Sequence, residues 1–232
     1  MNRVNLISNS RNGSSYLYSV ITAYHSYDLK ISEPFGDNRF EDSGIKDQKC
    51  FLHNQVEKIK NSQLTILKNH TYHLDLIFDH GFWDYFGVNS FYNIVLYRKN
   101  IFESSLSLAL ALETGMWSSY KNYPQSITVN EDIFKTCIAQ QYNGLLWFLH
   151  NSKQIRFDCV MSYEELCYSP LDDYNRLKIG QATVESDSKQ QKAPSKSSVV
   201  NNYETLRSIC YDECDKRNNL TFENFLLQDV IS

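Results

Sequence analysis

Several familiar signals are missing from this sequence. No apolar run approaches the ~20 residues that a helix needs to cross a bilayer. The opening, MNRVNLISNSRNGSS, has no apolar core of the kind a secretory leader carries, so a cytoplasmic location is expected. The six cysteines are Cys50, Cys137, Cys159, Cys167, Cys210 and Cys214. None forms a CxxC, and none pairs with histidine at zinc-site spacing, so reduced and mostly buried thiols are expected. Cys210 and Cys214 stand at i, i+4 on an expected helix, by itself a weak metal signal. An excess of positive charge is absent too: Lys+Arg is 23, Asp+Glu is 27 and the net charge is −4. Duplex nucleic acid is therefore not an expected partner, although a local basic pocket for a small anion is compatible with this balance. No carboxylate pair for Mg²⁺ follows a strand, so no metal is expected.

What is present is an ordinary globular composition, 42% hydrophobic and 22% charged. At about 150 residues per domain, 232 residues point to a single domain, 1–232, that needs no disulfide or metal staple. Residues 3–9 read as a buried strand ending in a Ser/Asn/Gly turn, and 15–27 as an amphipathic helix with Leu17, Val20, Ile21 and Tyr24 on one face. A polar stretch at 32–48 follows, then a helix at 50–60 and a second strand at 63–67. The stretch 73–86 reads as a helix carrying Phe78, Phe82, Trp83 and Phe86. A third strand at 91–97 leads to a helix at 101–117, with Asn100 and Glu103 as its capping pair. A helix at 130–150, a fourth strand at 155–160 and a short helix at 162–168 come next. A flexible polar loop is expected at about 181–198, then a helix at about 200–217. The alternation predicts an α/β fold: a three-layer sandwich around a mainly parallel sheet.

Four segments carry possible chemistry. The first is the strand–turn–helix unit, whose turn reads Ser8-Asn9-Ser10-Arg11-Asn12-Gly13-Ser14-Ser15. Small residues ahead of a helix N-terminus let backbone N–H groups face an anion. Against the Walker A pattern G-x-x-x-x-G-K-[ST], Ser8 replaces the first glycine, Gly13 and Ser15 match, and Ser14 stands in place of the lysine. That disfavours an ordinary ATPase or GTPase and favours another phosphate or sulfate ester, with Arg11 supplying the cation. A plain polar turn gives the same pattern without a ligand. The second is Lys68-Asn69-His70 after the second strand, at the carboxyl edge where parallel sheets bind ligands. Lysine can stabilise developing negative charge there, and histidine can act as a base; an incidental surface loop is the alternative. The third is Arg98 after the third strand, ahead of a helix bearing Ser104, Ser105 and Ser107; arginine suits phosphate through its planar fork. The fourth is Tyr163-Glu164-Glu165-Leu166, where a tyrosine could stack on a base or simply pack.

In this order the four segments resemble the sulfotransferase family, which shares a P-loop NTPase-like fold and uses 3′-phosphoadenosine 5′-phosphosulfate (PAPS) as donor. Asn9-Ser10-Arg11-Asn12-Gly13-Ser14-Ser15-Tyr16-Leu17 is similar to the family turn Ser-x-Arg-Ser-Gly-Ser-Ser-x-Leu, with Asn12 departing from the common Ser or Thr. The resemblance implies that Arg11, Asn12, Gly13, Ser14, Ser15 and Tyr16 grip the 5′-phosphosulfate. It implies that His70 is the base, that Lys68 supports the bridging oxygen, and that Arg11 lies beside the transferred group. It further implies a 3′-phosphate on Arg98 and Ser107, with Ser105 in reserve, and Tyr163 near the adenine. The Arg-Lys-Gly element of animal cytosolic members is absent; Lys189, Lys192 and Lys196 sit in the polar loop instead. A carbohydrate or small-molecule hydroxyl is the implied acceptor. Two other readings stay open: a P-loop kinase-like nucleotide enzyme, and a non-catalytic nucleotide-binding module of the same fold.

Overall fold

The computed structural model describes residues 2–74, 86–87, 90–117, 126–166, 169–182 and 196–217. Much of the expected 73–86 helix, Cys167 and most of the 181–198 loop lie outside these residues. Set beside the single domain expected for 1–232, the chain gathers into two compact units: Met1–Tyr97 with Trp147–Lys189, and Arg98–Leu146 with Gln190–Ser232.

The first unit is built on a five-stranded sheet. Its strands are β1 (Arg3–Ser8), β2 (Leu29–Ser32), β3 (Thr65–His70), β4 (Tyr92–Tyr97) and β5 (Cys159–Ser162), in the order β2-β3-β1-β4-β5. All four pairings are parallel. Between its strands this unit carries the helices α1 (Ser14–Tyr24), α2 (Asp37–Asp42) and α3 (Gln48–Lys60), among others described below. The expected α/β fold with a parallel sheet is therefore what the chain forms.

Connection rules divide the helices between the faces. The β1–α1–β2 crossover runs outward to the sheet edge, and the path through α3 runs back inward. Right-handed crossovers therefore put α1 and α3 on opposite faces. The α1 face is packed with Leu17, Val20 and Ile21 from the helix against Val4, Leu6, Ile66, Ile94 and Leu96 from the strands. Residues Val4 through Ser8 of β1 are all buried, the near-continuous burial of a central parallel strand covered on both sides.

Several element boundaries differ from expectation. A fifth strand, β2, was not anticipated: it is a four-residue edge strand in which only Ile31 is fully buried, so its pattern is weak. The second strand runs over 65–70 instead of 63–67. The fourth is 159–162 instead of 155–160, because the Ile155 N–H still donates to Asn151 O at the end of the preceding helix. The helix expected at 162–168 is a single 3₁₀ turn, Tyr163–Glu165.

The face opposite α1 carries three buried amides. Asn69 Nδ2 donates to Asn5 Oδ1 at 2.7 Å, and Asn5 Nδ2 donates to Asn93 Oδ1 at 3.2 Å. Asn93 Nδ2 in turn donates to Arg156 O at 3.0 Å. The amides thus cross β3, β1 and β4 and pair groups that would be costly to bury alone, with Asn69 Oδ1 left outside the ladder.

The second unit is helical in its described residues: α4 (Ile101–Thr114), α5 (Glu131–Asn151, as far as Leu146) and α7 (Tyr203–Lys216), with α6 (Pro170–Arg176) belonging to the first unit. Asn100 caps α4 by accepting from Glu103 N at 3.0 Å, as its sequence suggests. Gly115, at φ 67°, ends the helix three residues before the expected 117. Its core joins Leu106, Leu110, Phe134, Ile138 and Leu206.

Replacing Asn5 with alanine leaves the Asn69 donor and the Asn93 acceptor buried without it. The expected loss is about 1–3 kcal/mol in urea denaturation. A loss within the ~0.5 kcal/mol of an ordinary surface change would contradict the amide ladder's role.

Candidate functional site

The β1–α1 turn is shaped by two left-handed residues, Arg11 at φ 65° and Gly13 at φ 84°. Glycine adopts that conformation freely; arginine does so at a cost of order 1 kcal/mol. Gly13 also meets Tyr163 closely: a Cβ there would overlap Cδ2 of the ring and stand 2.8 Å from Cε2. Tyr163 therefore packs directly on the turn. Helix α1 begins with Leu17 N donating to Gly13 O at 3.1 Å. Gly13 offers no side-chain cap, and the first turn holds no acidic residue. The N–H groups of Ser14, Ser15 and Tyr16 thus head the helix without intrahelical acceptors, the arrangement that favours an anion. Ser14 is buried and Ser15 exposed. Buried Ser8 Oγ and Asn12 Oδ1 make no hydrogen bond. The Tyr16 hydroxyl donates to Asp173 Oδ2 at 2.9 Å, so its side chain ties α1 to α6.

Lys68 and His70 do not follow β3, as the sequence suggested, but form its last residues, because β3 stays paired with β1 as far as Ser8 and His70. Both are buried, at 4% and 7% exposure. Lys68 Nζ lies 2.6 Å from Glu33 Oε1 and donates to Ser15 Oγ at 3.2 Å. His70 Nε2 lies 3.1 Å from the same carboxylate oxygen, and its Nδ1 lies 3.4 Å from Ser8 O. Tyr72 stacks on the His70 ring at 5.4 Å. A buried ammonium thus meets the head of α1, with a histidine beside it and one carboxylate joining the two.

Glu33 is the residue that sequence reasoning missed. It follows β2 directly, at φ 55°, and its N–H donates to Lys68 O at 2.6 Å. The hydrogen bond from His70 holds its carboxyl well below the usual range; burial opposes this, while the hydrogen bond and the charge of Lys68 add to it. The available signal was its place at the carboxyl edge of the sheet, but that required seeing β2 first.

Arg98, Ser105 and Ser107 belong to the second unit. Arg98 Nη2 is 3.8 Å from Glu103 Oε2. The same carboxylate accepts from Lys196 Nζ at 2.7 Å and from the Tyr203 hydroxyl at 3.1 Å. Burial works against ionisation of Glu103, yet Lys196, the Tyr203 hydroxyl and Arg98 together outweigh it and hold the carboxyl below its usual range. Ser105 and Ser107 are both buried, and Ser105 Oγ has no partner. Lys189 and Lys192 lie outside the described residues. Among the described residues, no three or more His, Cys, Asp or Glu gather as a metal cluster.

No protein-family model matches the chain, and no curated protein matches it. Among solved structures, the chain is similar to a sulfotransferase domain from the curacin biosynthetic pathway. The identity is 16%, the TM-score 0.38, and the match covers 76% of this chain and 72% of that one. The likeness is distant and assigns no role to any residue of this chain.

The Glu33 pairing predicts a pH dependence. Its folded-state acidity exceeds that of the unfolded chain, so its ionised form adds stability above the ordinary value of 4.5. That contribution fades as pH falls through the lower folded value. The stability gap between the wild type and Glu33→Gln is therefore wide above pH 4.5 and narrows below it. A gap that does not change with pH would contradict the pairing.

Proposed function

We propose that this chain is a PAPS-dependent sulfotransferase acting on a hydroxyl acceptor. The observation that carries the reading is buried Lys68 reaching Ser15 at the uncapped head of α1, with His70 held beside it through Glu33. A Walker-type ATPase would have a lysine in the turn itself, where this chain has Ser14.

In this reading the N–H groups of Ser14, Ser15 and Tyr16 hold the 5′-phosphate, with the Ser14 and Ser15 hydroxyls, Asn12 and Gly13 completing the turn. Arg11 and Lys68 stabilise the charge that develops on the transferring sulfuryl group and the leaving phosphate. The acceptor oxygen forms a bond to sulfur as the bridging S–O bond breaks, and the electron pair of that bond leaves on the nucleotide phosphate. His70 takes the acceptor proton. Most of the protein's work is positioning, as in phosphoryl transfer. Tyr163, packed on Gly13, is assigned to the adenine, and Arg98 with Ser107 or Ser105 to the 3′-phosphate; both assignments rest on the resemblance. Glu33 sets Lys68 and His70 relative to each other. A carbohydrate or small alcohol is the proposed acceptor class.

Transfer of labelled sulfuryl groups from PAPS to a panel of hydroxyl acceptors tests the activity. His70→Ala is expected to spare donor binding and to lower transfer by about 100-fold or more, the typical contribution of a general base. Arg98→Ala is expected to weaken a 3′,5′-bisphosphate nucleotide far more than a 5′-monophosphate. Transfer unchanged by His70→Ala removes the base assignment, and equal weakening of both nucleotides removes Arg98 from the 3′-phosphate.

A further inference from the structure

The second unit holds a sulfur pair that the proposed chemistry leaves unused. Cys210 and Cys214 lie one turn apart on α7, with their sulfurs 3.9 Å from each other. Two thiolates bound to one tetrahedral ion through bonds of about 2.3 Å stand about 3.8 Å apart. A disulfide would require the same atoms to close to about 2.05 Å, a much larger movement within one helical turn. The sulfurs are thus already spaced for a shared cation.

The second observation is on the neighbouring helix. Tyr142 of α5 is 3% exposed, packs in one core cluster with Cys210 and Cys214, and its hydroxyl has no hydrogen-bond partner. An unsatisfied phenol oxygen is therefore buried beside the two sulfurs. The Arg217 guanidinium lies 5.4 Å from the centre of the Tyr142 ring.

We propose that Cys210 Sγ, Cys214 Sγ and the Tyr142 hydroxyl form a site for one thiophilic d¹⁰ cation of the zinc class. The cation takes the place of the proton now shared between the sulfurs, and binding releases both thiol protons. Its fourth position is left to water or an exogenous ligand. Because no third His, Cys, Asp or Glu joins the pair among the described residues, the site differs from the four-ligand structural zinc sites. Bound there, the ion clips α7 to α5. This inference does not depend on sulfuryl transfer.

Cadmium titration of the reduced full-length protein, followed through the thiolate-to-metal charge-transfer absorption, provides the test. The wild type is expected to saturate at one equivalent, and a large excess of Zn²⁺ is expected to displace the cadmium. Cys214→Ser, at a half-buried position, is expected to lose that equivalent while its thermal melt shows a folded protein. Cys50→Ser, at an exposed position, is expected to keep it. Tyr142→Phe is expected to retain the stoichiometry with affinity about tenfold weaker. Absence of the one-equivalent band in the wild type, its survival in Cys214→Ser, or failure of zinc to displace cadmium would overturn the site. An unchanged affinity in Tyr142→Phe would remove the phenol from it.

Discussion

The parallel pairing of β1 with β3 governs the candidate site. Its register sets Leu6 opposite Lys68 and Ser8 opposite His70. Side chains alternate along a strand, so Lys68 and His70 share the face of Ile66, the face that α1 covers. Asn69, between them, points the other way and donates to Asn5. A slip of one residue would exchange the faces, burying the charged pair among the amides and losing the Asn5–Asn69 bond. The amide ladder on one side thus locks the position of the lysine and histidine on the other.

A buried ammonium needs compensation, and a carboxylate supplies it. In the first unit Glu33 holds Lys68 and His70 through a single oxygen. In the second unit Glu103 holds Lys196, with Arg98 nearby. In each case the cation read from sequence as an anion ligand is already fixed in place by an acid that reading had not assigned as its partner. Such fixing lowers the ordering cost of binding an anion, because these long side chains have already lost much of their rotamer freedom. It also explains why Glu33, which makes no anion contact of its own, belongs to the account of the site.

The legible parts of the sequence were the local ones. An apolar run, a glycine turn and an amphipathic helix marked β1 and α1, and the Asn100 cap marked the start of α4. Lys68 and His70 stood out as a pair, but their polarity suggested a loop, whereas Glu33 and the pairing with β1 keep them in the strand. β2 was hidden because its four residues bury little and its partner β3 lies far along the chain. With β2 hidden, Glu33 looked like part of a polar stretch. The stretch 155–157 looked like strand, yet Ile155 closes the last turn of α5 and Phe157 packs against Phe148 at 6.0 Å. For β2 and Glu33 the deciding partner is far along the chain, whereas at 155–157 it is the end of the preceding helix.

The central claim is that the turn at 9–15, with Lys68, binds the phosphate end of an adenosine bisphosphate donor rather than Mg·ATP. Calorimetric titration with 3′-phosphoadenosine 5′-phosphate, in EDTA and in Mg²⁺, compared with ATP under the same two conditions, tests it most directly. The account predicts tight bisphosphate binding of equal strength with and without the metal, and much weaker binding of ATP. Magnesium-dependent binding of ATP, or no binding of the bisphosphate, would contradict it.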